Sequence, residues 1–362
     1  MTKVSIEGEA FLIDGTPTHA GQSWKGHRVE GLLFNNRAVQ ALFDDENPET
    51  AQQWAYPDTG TWDPERNLAE FCAALPEWKA YGCDAVTINL QGGMPITRTE
   101  TVQPWLNTAF APDGSLKPAY TDRLHRLLAA ADAAGVVVIV GYYYFGQDKY
   151  LTDEAAVKAG VIAATDWLLD SGFENLLIEI NNECDIPHYR HAILGPDRVQ
   201  ELIALAKSRM TADRAIPTAT SFAGGAYHMG FWDDGHRDMS DLGALERGIP
   251  TDTVLEVSDF ALVHTNEMNM ANTREVVHRT RDRAAFRAAP MPLVINEDSV
   301  CVTNLFAAAE VYAPWGYYDQ GENNYSDGYQ SVPVNWSINT PNKRAFFDAV
   351  AEVTGRNERT DS

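Results

Sequence analysis

Two apolar runs in the sequence end in the same dipeptide. Leu176-Leu177-Ile178-Glu179-Ile180-Asn181 is followed by Asn182-Glu183, and Pro292-Leu293-Val294-Ile295 is followed by Asn296-Glu297. Each run reads as a buried strand, and a carboxylate at the tip of such a strand has left the core. Two of them at the mouth of one parallel barrel are what cleavage of a glycosidic bond requires. One carboxyl protonates the leaving oxygen; the other attacks the anomeric carbon or activates water. Glu183 and Glu297 are the candidate pair, and mutual repulsion in a partly dry pocket pushes their pKa values apart. Asn182 is placed to hydrogen-bond a sugar hydroxyl beside the scissile bond. A single such Glu would be read as a helix cap or a salt-bridge partner. Two, each after Asn and each closing a strong strand run, favour catalysis.

The elements that must position this pair follow from the alternation of apolar runs with helical patterns, the signature of repeated βα units. Strands are expected near 29–35, 84–90, 136–142, 175–181, 216–220, 260–264, 292–296 and 311–315. That gives an α/β chain folded as a (β/α)8 TIM barrel. Leu124, Leu127, Leu128 and Ala131 form one apolar helical stripe, as do Val199, Leu202, Ile203 and Ala206 after Pro196. Asn272 with Glu275 reads as a capping box opening a helix to about 288. A last helix is expected over 342–354. Asp14-Gly15 between Phe11-Leu12-Ile13 and Thr16-Pro17-Thr18 signals a hairpin. The expected organisation is one catalytic domain over 1–362, with a hairpin extension at 1–28 and the barrel at 29–354. Long loops at 36–64, 91–116, 221–250 and 316–340 all follow strands and belong to the C-terminal face.

The 362 residues suit one barrel with loop insertions. With 28 Lys and Arg against 51 Asp and Glu, the net charge of −23 disfavours nucleic acid and anionic membranes as partners, since phosphate contacts need clustered cations. No apolar run is long enough for a membrane span. The first residues lack the apolar stretch of a signal peptide, so a cytoplasmic location is expected, or secretion if a leader was removed. Cys72, Cys83, Cys184 and Cys301 show no paired or metal-finger spacing and read as free thiols. The composition leaves the oligomeric state open.

Asn182-Glu183 at the fourth strand and Glu297 at the seventh resemble the pattern of clan A glycoside hydrolases, the retaining (β/α)8 enzymes that include the family 5 cellulase-like group. The run from Asp327 through Trp336 also looks like the tail of bacterial cellulase-like proteins. The resemblance implies Glu183 as acid/base, Glu297 as nucleophile, a carbohydrate substrate with a β-linkage, and neither cofactor nor metal. It also implies an aromatic floor after the eighth strand, which falls on Trp315; a tryptophan of the core is the equal alternative at that position.

The sequence departs from that pattern in two places. An Arg within the second strand is replaced here by Val86-Thr87-Ile88-Asn89-Leu90, and Arg37, just past the first strand, is the candidate to supply the charge. In place of a Tyr two residues beyond a sixth-strand His, His264 is followed by Thr265 and Asn266, so Asn266 or a Tyr elsewhere must take that role. The expected substrate-binding set is therefore Arg37, Asn89, Tyr142, Tyr144, Asn182, Trp232, His264, Asn266 and Trp315. Trp54, Trp62 and Trp336 are further loop aromatics that serve either packing or subsites. His228 and His236 flank Trp232 with no compact metal spacing.

Two other classes remain open. One is a metal-dependent sugar isomerase or aldolase-type barrel, with ligands drawn from Glu183, His264, Glu267, Glu297 and Asp298. The other is a non-catalytic carbohydrate-binding barrel.

Overall fold

The computed structural model describes residues 1–95, 103–225, 228, 240, 242–266, 268–321 and 325–356. The chain opens with an antiparallel sheet of β1 (Val4–Glu7), β2 (Ala10–Ile13) and β3 (Thr16–Pro17). Asp14 and Gly15 turn β2 into β3 with φ of 52° and 75°, the left-handed pair that a two-residue hairpin of this hand demands. A second small hairpin, β4 (Ser23–Trp24) and β5 (His27–Arg28), went unrecognised in the sequence.

The barrel strands are β6 (Asn35–Arg37), β7 (Ala85–Asn89), β8 (Val137–Tyr143), β9 (Leu176–Asn181), β10 (Thr218–Ala219), β11 (Ser221–Phe222), β12 (Ala261–His264), β13 (Leu293–Glu297) and β14 (Gly316–Tyr317). All their pairings are parallel. The hydrogen-bonded order is β10-β9-β8-β7-β6-β14 in one sheet and β11-β12-β13 in another. The two sheets meet on one side because β10 and β11 are pieces of one segment broken at Thr220. On the other side they meet through a single parallel bridge between Ile295 and Trp315. Eight strand positions thus surround one interior, as a (β/α)8 barrel requires.

Two strands lie later than their hydrophobic runs suggest. The first is Asn35–Arg37 rather than 29–35, so Arg37 is its last residue and not a residue beyond it. The eighth is Gly316–Tyr317 rather than 311–315. In both cases the apolar run marks burial, and burial begins before strand pairing does.

The surrounding helices are α1 (Pro64–Ala80), α2 (Pro118–Ala134), α3 (Glu154–Asp170), α4 (Val199–Ser208), α5 (Leu242–Arg247), α6 (Asp252–Leu255), α7 (Met270–Asp282), α8 (Ala284–Ala288), α9 (Thr303–Glu310) and α10 (Pro341–Thr354). Both stripes read from the sequence are buried, on α2 and α4. Two local readings change. Pro196 precedes α4 rather than opening it, since Arg198 is the N-cap. The cap of α7 is Asn269, whose side chain accepts from the Asn272 N–H; Asn272 itself lies buried in the first turn.

Inside the barrel, the lower layers are apolar. Leu33, Ala85, Val137, Ile139, Leu177, Leu262 and Val294 pack there, and Val4 and Phe11 of the first hairpin close that end. Following the same inward faces toward the strand C-termini, the residues turn polar: Arg37, Asn89, Glu179, Ser221 and His264. All are buried. The apolar plug excludes water from below, and the polar layer faces the loops.

Candidate active site

Glu183 stands two residues beyond β9, in a left-handed conformation with φ of 47°. A non-glycine residue pays about 1–3 kcal/mol to sit there and stays only if its surroundings hold it. The neighbouring strand does so. The Glu183 N–H donates to Ser221 Oγ at 2.8 Å and the Cys184 N–H to Ser221 O at 2.9 Å. The turn aims the Glu183 carboxyl at β12, where Glu183 Oε1 lies 2.8 Å from His264 Nδ1.

Glu297 reaches the same spot by a different device. Along the β12–β13 pair, Leu262 faces Val294 and Val263 faces Ile295, but His264 faces Glu297, with Asn296 skipped. This bulge re-aims a side chain that strict alternation would have turned away. Asn266 Nδ2 donates to Glu297 Oε1 at 2.7 Å. Arg37 Nε pairs with Glu297 Oε2, and His264 Nδ1 lies 3.7 Å from that oxygen. One oxygen of Glu183, one of Glu297 and a ring nitrogen of His264 all fall within 4.8 Å of each other.

Arg37 organises the floor. Its guanidinium also donates to Asn182 Oδ1 and lies 3.8 Å from Glu179 Oε2. Burial works against its charge, yet Glu297 and Glu179 outweigh burial and the net shift is upward. The two candidate catalytic carboxyls have different surroundings. Burial first, and then the negative charge of Asp185, push the Glu183 carboxyl up to about 8, against the pull of Arg37. Burial likewise lowers the pKa of His264. At neutral pH, Glu183 therefore holds a proton beside an uncharged imidazole, while Glu297 is held by a cation and an amide.

Of the expected binding residues, Arg37, Asn182, His264 and Asn266 gather around the pair. Asn89 lies on the same interior face. A Cβ on Gly141 would sit 2.4 Å from Asn89 Oδ1 and 3.3 Å from Glu179 Oε2, so glycine there leaves both side chains their room. The ring of Tyr144 packs over Gly93, and its phenol is pushed up well above the usual range, by burial first, then by Tyr318, Glu297 and Glu183.

Two expectations fail. The Tyr142 hydroxyl is 3.1 Å from Thr165 Oγ1 on α3, because alternation from inward-facing Ile139 and Gly141 turns residue 142 outward. Trp315 is wholly buried and donates its Nε1–H to Asp298 Oδ2 at 2.8 Å; it is core, not a sugar floor. Trp54 and Trp336 are also buried, bonded to Asp45 and Asn67. Trp62 packs beside Phe43 and stacks on Tyr56. Trp232, His236 and Glu267 lie outside the described residues.

The geometry adds residues that the sequence reading passed over. Tyr318 follows β14 at the same end of the barrel, and its phenol is raised well above the usual range by burial first and then by the charge of Glu297. Its position directly after the true eighth strand was the available signal. Asp185 accepts from the Ala223 N–H at 2.8 Å and lies 2.8 Å from His228 Nε2, behind Glu183. Asp298, raised to about 6 mainly by burial, collects Thr265, Ser299, Asn304 and Trp315 and faces away from the pair. The four cysteines are free. Among the described residues no helix is long and apolar enough to cross a membrane.

No family model matches the sequence, and no curated protein matches it. Solved structures do match. The endo-1,4-β-mannanase from Rhizomucor miehei is similar at 12% identity over 99% of this chain and 100% of its own, with a TM-score of 0.57. The β-1,4-D-mannanase from Cryptopygus antarcticus is similar at 13% identity over 97% and 95%, with a TM-score of 0.52. A glycoside hydrolase family 5 enzyme from Prevotella bryantii B14 is similar at 12% identity over 89% and 96%, also at 0.52. At such identities the likeness is one of fold, and it supports the (β/α)8 architecture.

Proposed function

We propose that the chain is a retaining glycoside hydrolase that cleaves a β-linked glycoside or oligosaccharide by double displacement. The observation that carries this reading is the closeness of two unlike carboxyls. An oxygen of Glu183 and one of Glu297 lie within 4.8 Å at the strand C-termini. Retaining enzymes hold their carboxyl groups about 5–5.5 Å apart, whereas inverting ones need about 6.5–9.5 Å to admit a water. Glu183, protonated up to about pH 8, is the acid. With the uncharged His264 in its Nδ1–H tautomer, Nδ1 donates to Oε1 and Oε2 is left to carry the proton toward the leaving oxygen. Glu297 is the nucleophile, its free lone pairs oriented by Arg37 and Asn266. After the leaving group departs, Glu183 is a carboxylate and takes a proton from the incoming water.

The choice of a first substrate is supported by two solved structures of similar fold that are named as β-1,4-mannanases. On that basis β-1,4-linked mannan is the first substrate to test. The experiment is hydrolysis of aryl β-mannosides, aryl β-glucosides and manno-oligosaccharides, with the anomer first released read by proton NMR. Initial release of the β-anomer supports the reading; initial release of the α-anomer means inversion and removes it.

A metal-dependent reading has one observation in its favour: Glu183, His264 and Glu297 are close enough to share a cation. Against it, Arg37 already presents a full positive charge to Glu297, so a divalent ion would enter a site that holds a cation. Asp298, a ligand candidate in that reading, is turned to Trp315 instead. Activity that survives chelator decides for the hydrolase; activity that needs an added divalent ion decides for the isomerase or aldolase class.

A further inference from the structure

The polar floor contains one carboxylate that the mechanism above does not use. Glu179 lies on β9, fully buried, with neither side-chain oxygen hydrogen-bonded among the described residues. A carboxylate in that position costs far more than an exposed one unless a cation compensates it. The cation is Arg37, 3.8 Å away, the same guanidinium that pairs with Glu297. Glycine at 141 keeps the space open: any Cβ there would press on Asn89 and come within 3.3 Å of Glu179 Oε2. A buried Arg is thus shared between two carboxylates, one above and one below.

Resting on the double-displacement reading, we propose that Glu179 is a positioning residue that holds Arg37 and balances its charge from below, so that the guanidinium stays compensated when Glu297 gives up its own charge. In the first step Glu297 attacks the anomeric carbon, the glycosidic C–O bond breaks, and the Glu183 proton passes to the departing oxygen. Glu297 becomes a neutral ester and no longer pairs with Arg37. Without Glu179, the uncompensated guanidinium would favour free Glu297 over the ester. Glycosylation would slow and deglycosylation would quicken. With Glu179 in place, the pull of Arg37 on the nucleophile is moderated and the two steps are brought closer in rate.

The charged and titratable groups around this centre are Arg37 from β6, Glu183, Cys184, Asp185 and Tyr189 beyond β9, His228 beside Asp185, His264 from β12, Glu297 from β13, the Tyr144 phenol beyond β8 and the Tyr318 phenol beyond β14. Glu179 raises Glu183, and Arg37 lowers it. Removing the Glu179 charge therefore moves the Glu183 titration to lower pH.

The test is Glu179→Gln, which keeps the shape and removes the charge. Carboxyl carbon-13 NMR of Glu-labelled protein, with the Glu183 signal assigned from Glu183→Gln, follows the Glu183 titration without substrate. The expected result is a downward move of about half a pH unit or more. Glu179→Asp, which draws the charge back by one methylene, should move it the same way by less and serves if the Gln variant does not fold. A Glu183 titration unmoved in the folded variants would mean that Glu179 is a neutral filler, and would overturn the proposal. Pre-steady-state kinetics on a dinitrophenyl β-glycoside should show glycosylation slowed and less intermediate accumulating. A wild type inactive on every glycoside would count against the hydrolase reading, and the titration would still decide the electrostatic role of Glu179.

Discussion

Glu297 faces His264 across the β12–β13 pair because the register slips by one residue after Val263. Had the alternation continued, Asn296 would face His264 and Glu297 would be aimed elsewhere. The slip brings a carboxylate from the seventh strand position and an imidazole from the sixth to one point, and Glu183 reaches that point from the fourth. His264 then touches both carboxyls, at 2.8 Å and 3.7 Å. The bulge is what makes the site a pair.

Replacing the acid tests its role. Glu183→Gln should slow turnover by about 10²–10⁴-fold, the usual worth of a general acid/base. The loss should shrink for substrates with good leaving groups, which need less protonation. Added azide should restore the second step and yield a β-glycosyl azide from a β-glycoside. Unchanged turnover would remove Glu183 from the mechanism.

The raised pKa of Glu183 has a sign that stability can read. A carboxyl ordinarily titrating near 4.5 is held protonated to about 8 in the folded state. Between those values the folded chain binds more protons than the unfolded one, so stability falls as pH rises through that window. The contribution is on the order of a few kcal/mol at most. Glu183→Gln should therefore melt higher than wild type at pH 9, with the gap closing toward pH 4. Activity of the wild type should fall on the alkaline side, above about pH 8. A variant no more stable than wild type at pH 9 would contradict the burial argument.

Much of this site was legible before the fold. Glu183 and Glu297 stood out because strand tips in a parallel barrel point to one face. Arg37 and Asn266 stood out because something had to replace a missing cation and a missing phenol. The misreadings share a cause. Apolar runs report burial, and in a barrel burial extends beyond the paired residues. The eighth strand was therefore placed over 311–315, and Trp315 was taken for the residue at its mouth. The true strand, Gly316–Tyr317, has too little β character to be noticed, so Tyr318 was missed. Tyr142 failed for a simpler reason: three tyrosines in a row carry no parity of their own, and only the inward position of Gly141 fixes which way each turns. The Glu179–Arg37 contact and the bulge at His264 depend on register between distant strands, which no local pattern encodes.

Trp315 and Tyr318 can be separated by mutation. Trp315→Phe removes the donor to Asp298 and should cost about 1.5–3 kcal/mol, the worth of a hydrogen bond to a charged group, with KM little changed. Tyr318→Phe should leave stability nearly as it is and lower kcat/KM. Urea denaturation and steady-state kinetics on the two variants check both. The reverse pattern would restore Trp315 to the site.

Arg37→Ala should be among the most damaging single changes. It leaves Glu179 and Glu297 buried without their cation, and breaking a buried ion pair in this way costs about 3–5 kcal/mol. Denaturant unfolding should show a midpoint well below that of wild type. A loss under about 1 kcal/mol, the scale of an exposed pair, would mean that the guanidinium is not the compensating charge.

The central claim is that Glu297 is the nucleophile of a covalent double displacement. A 2-fluoro β-glycoside with a dinitrophenolate leaving group tests it directly. The fluorine destabilises the oxocarbenium-like transition state and slows both steps, while the leaving group restores the first, so the glycosyl-enzyme accumulates. Intact-protein mass should rise by one fluoroglycosyl unit, and peptide mapping should place it on Glu297. The Glu297→Gln variant should fold and take no label. A label on Asp298 or Glu267, or turnover of the wild type with no label under any sugar, would contradict the account.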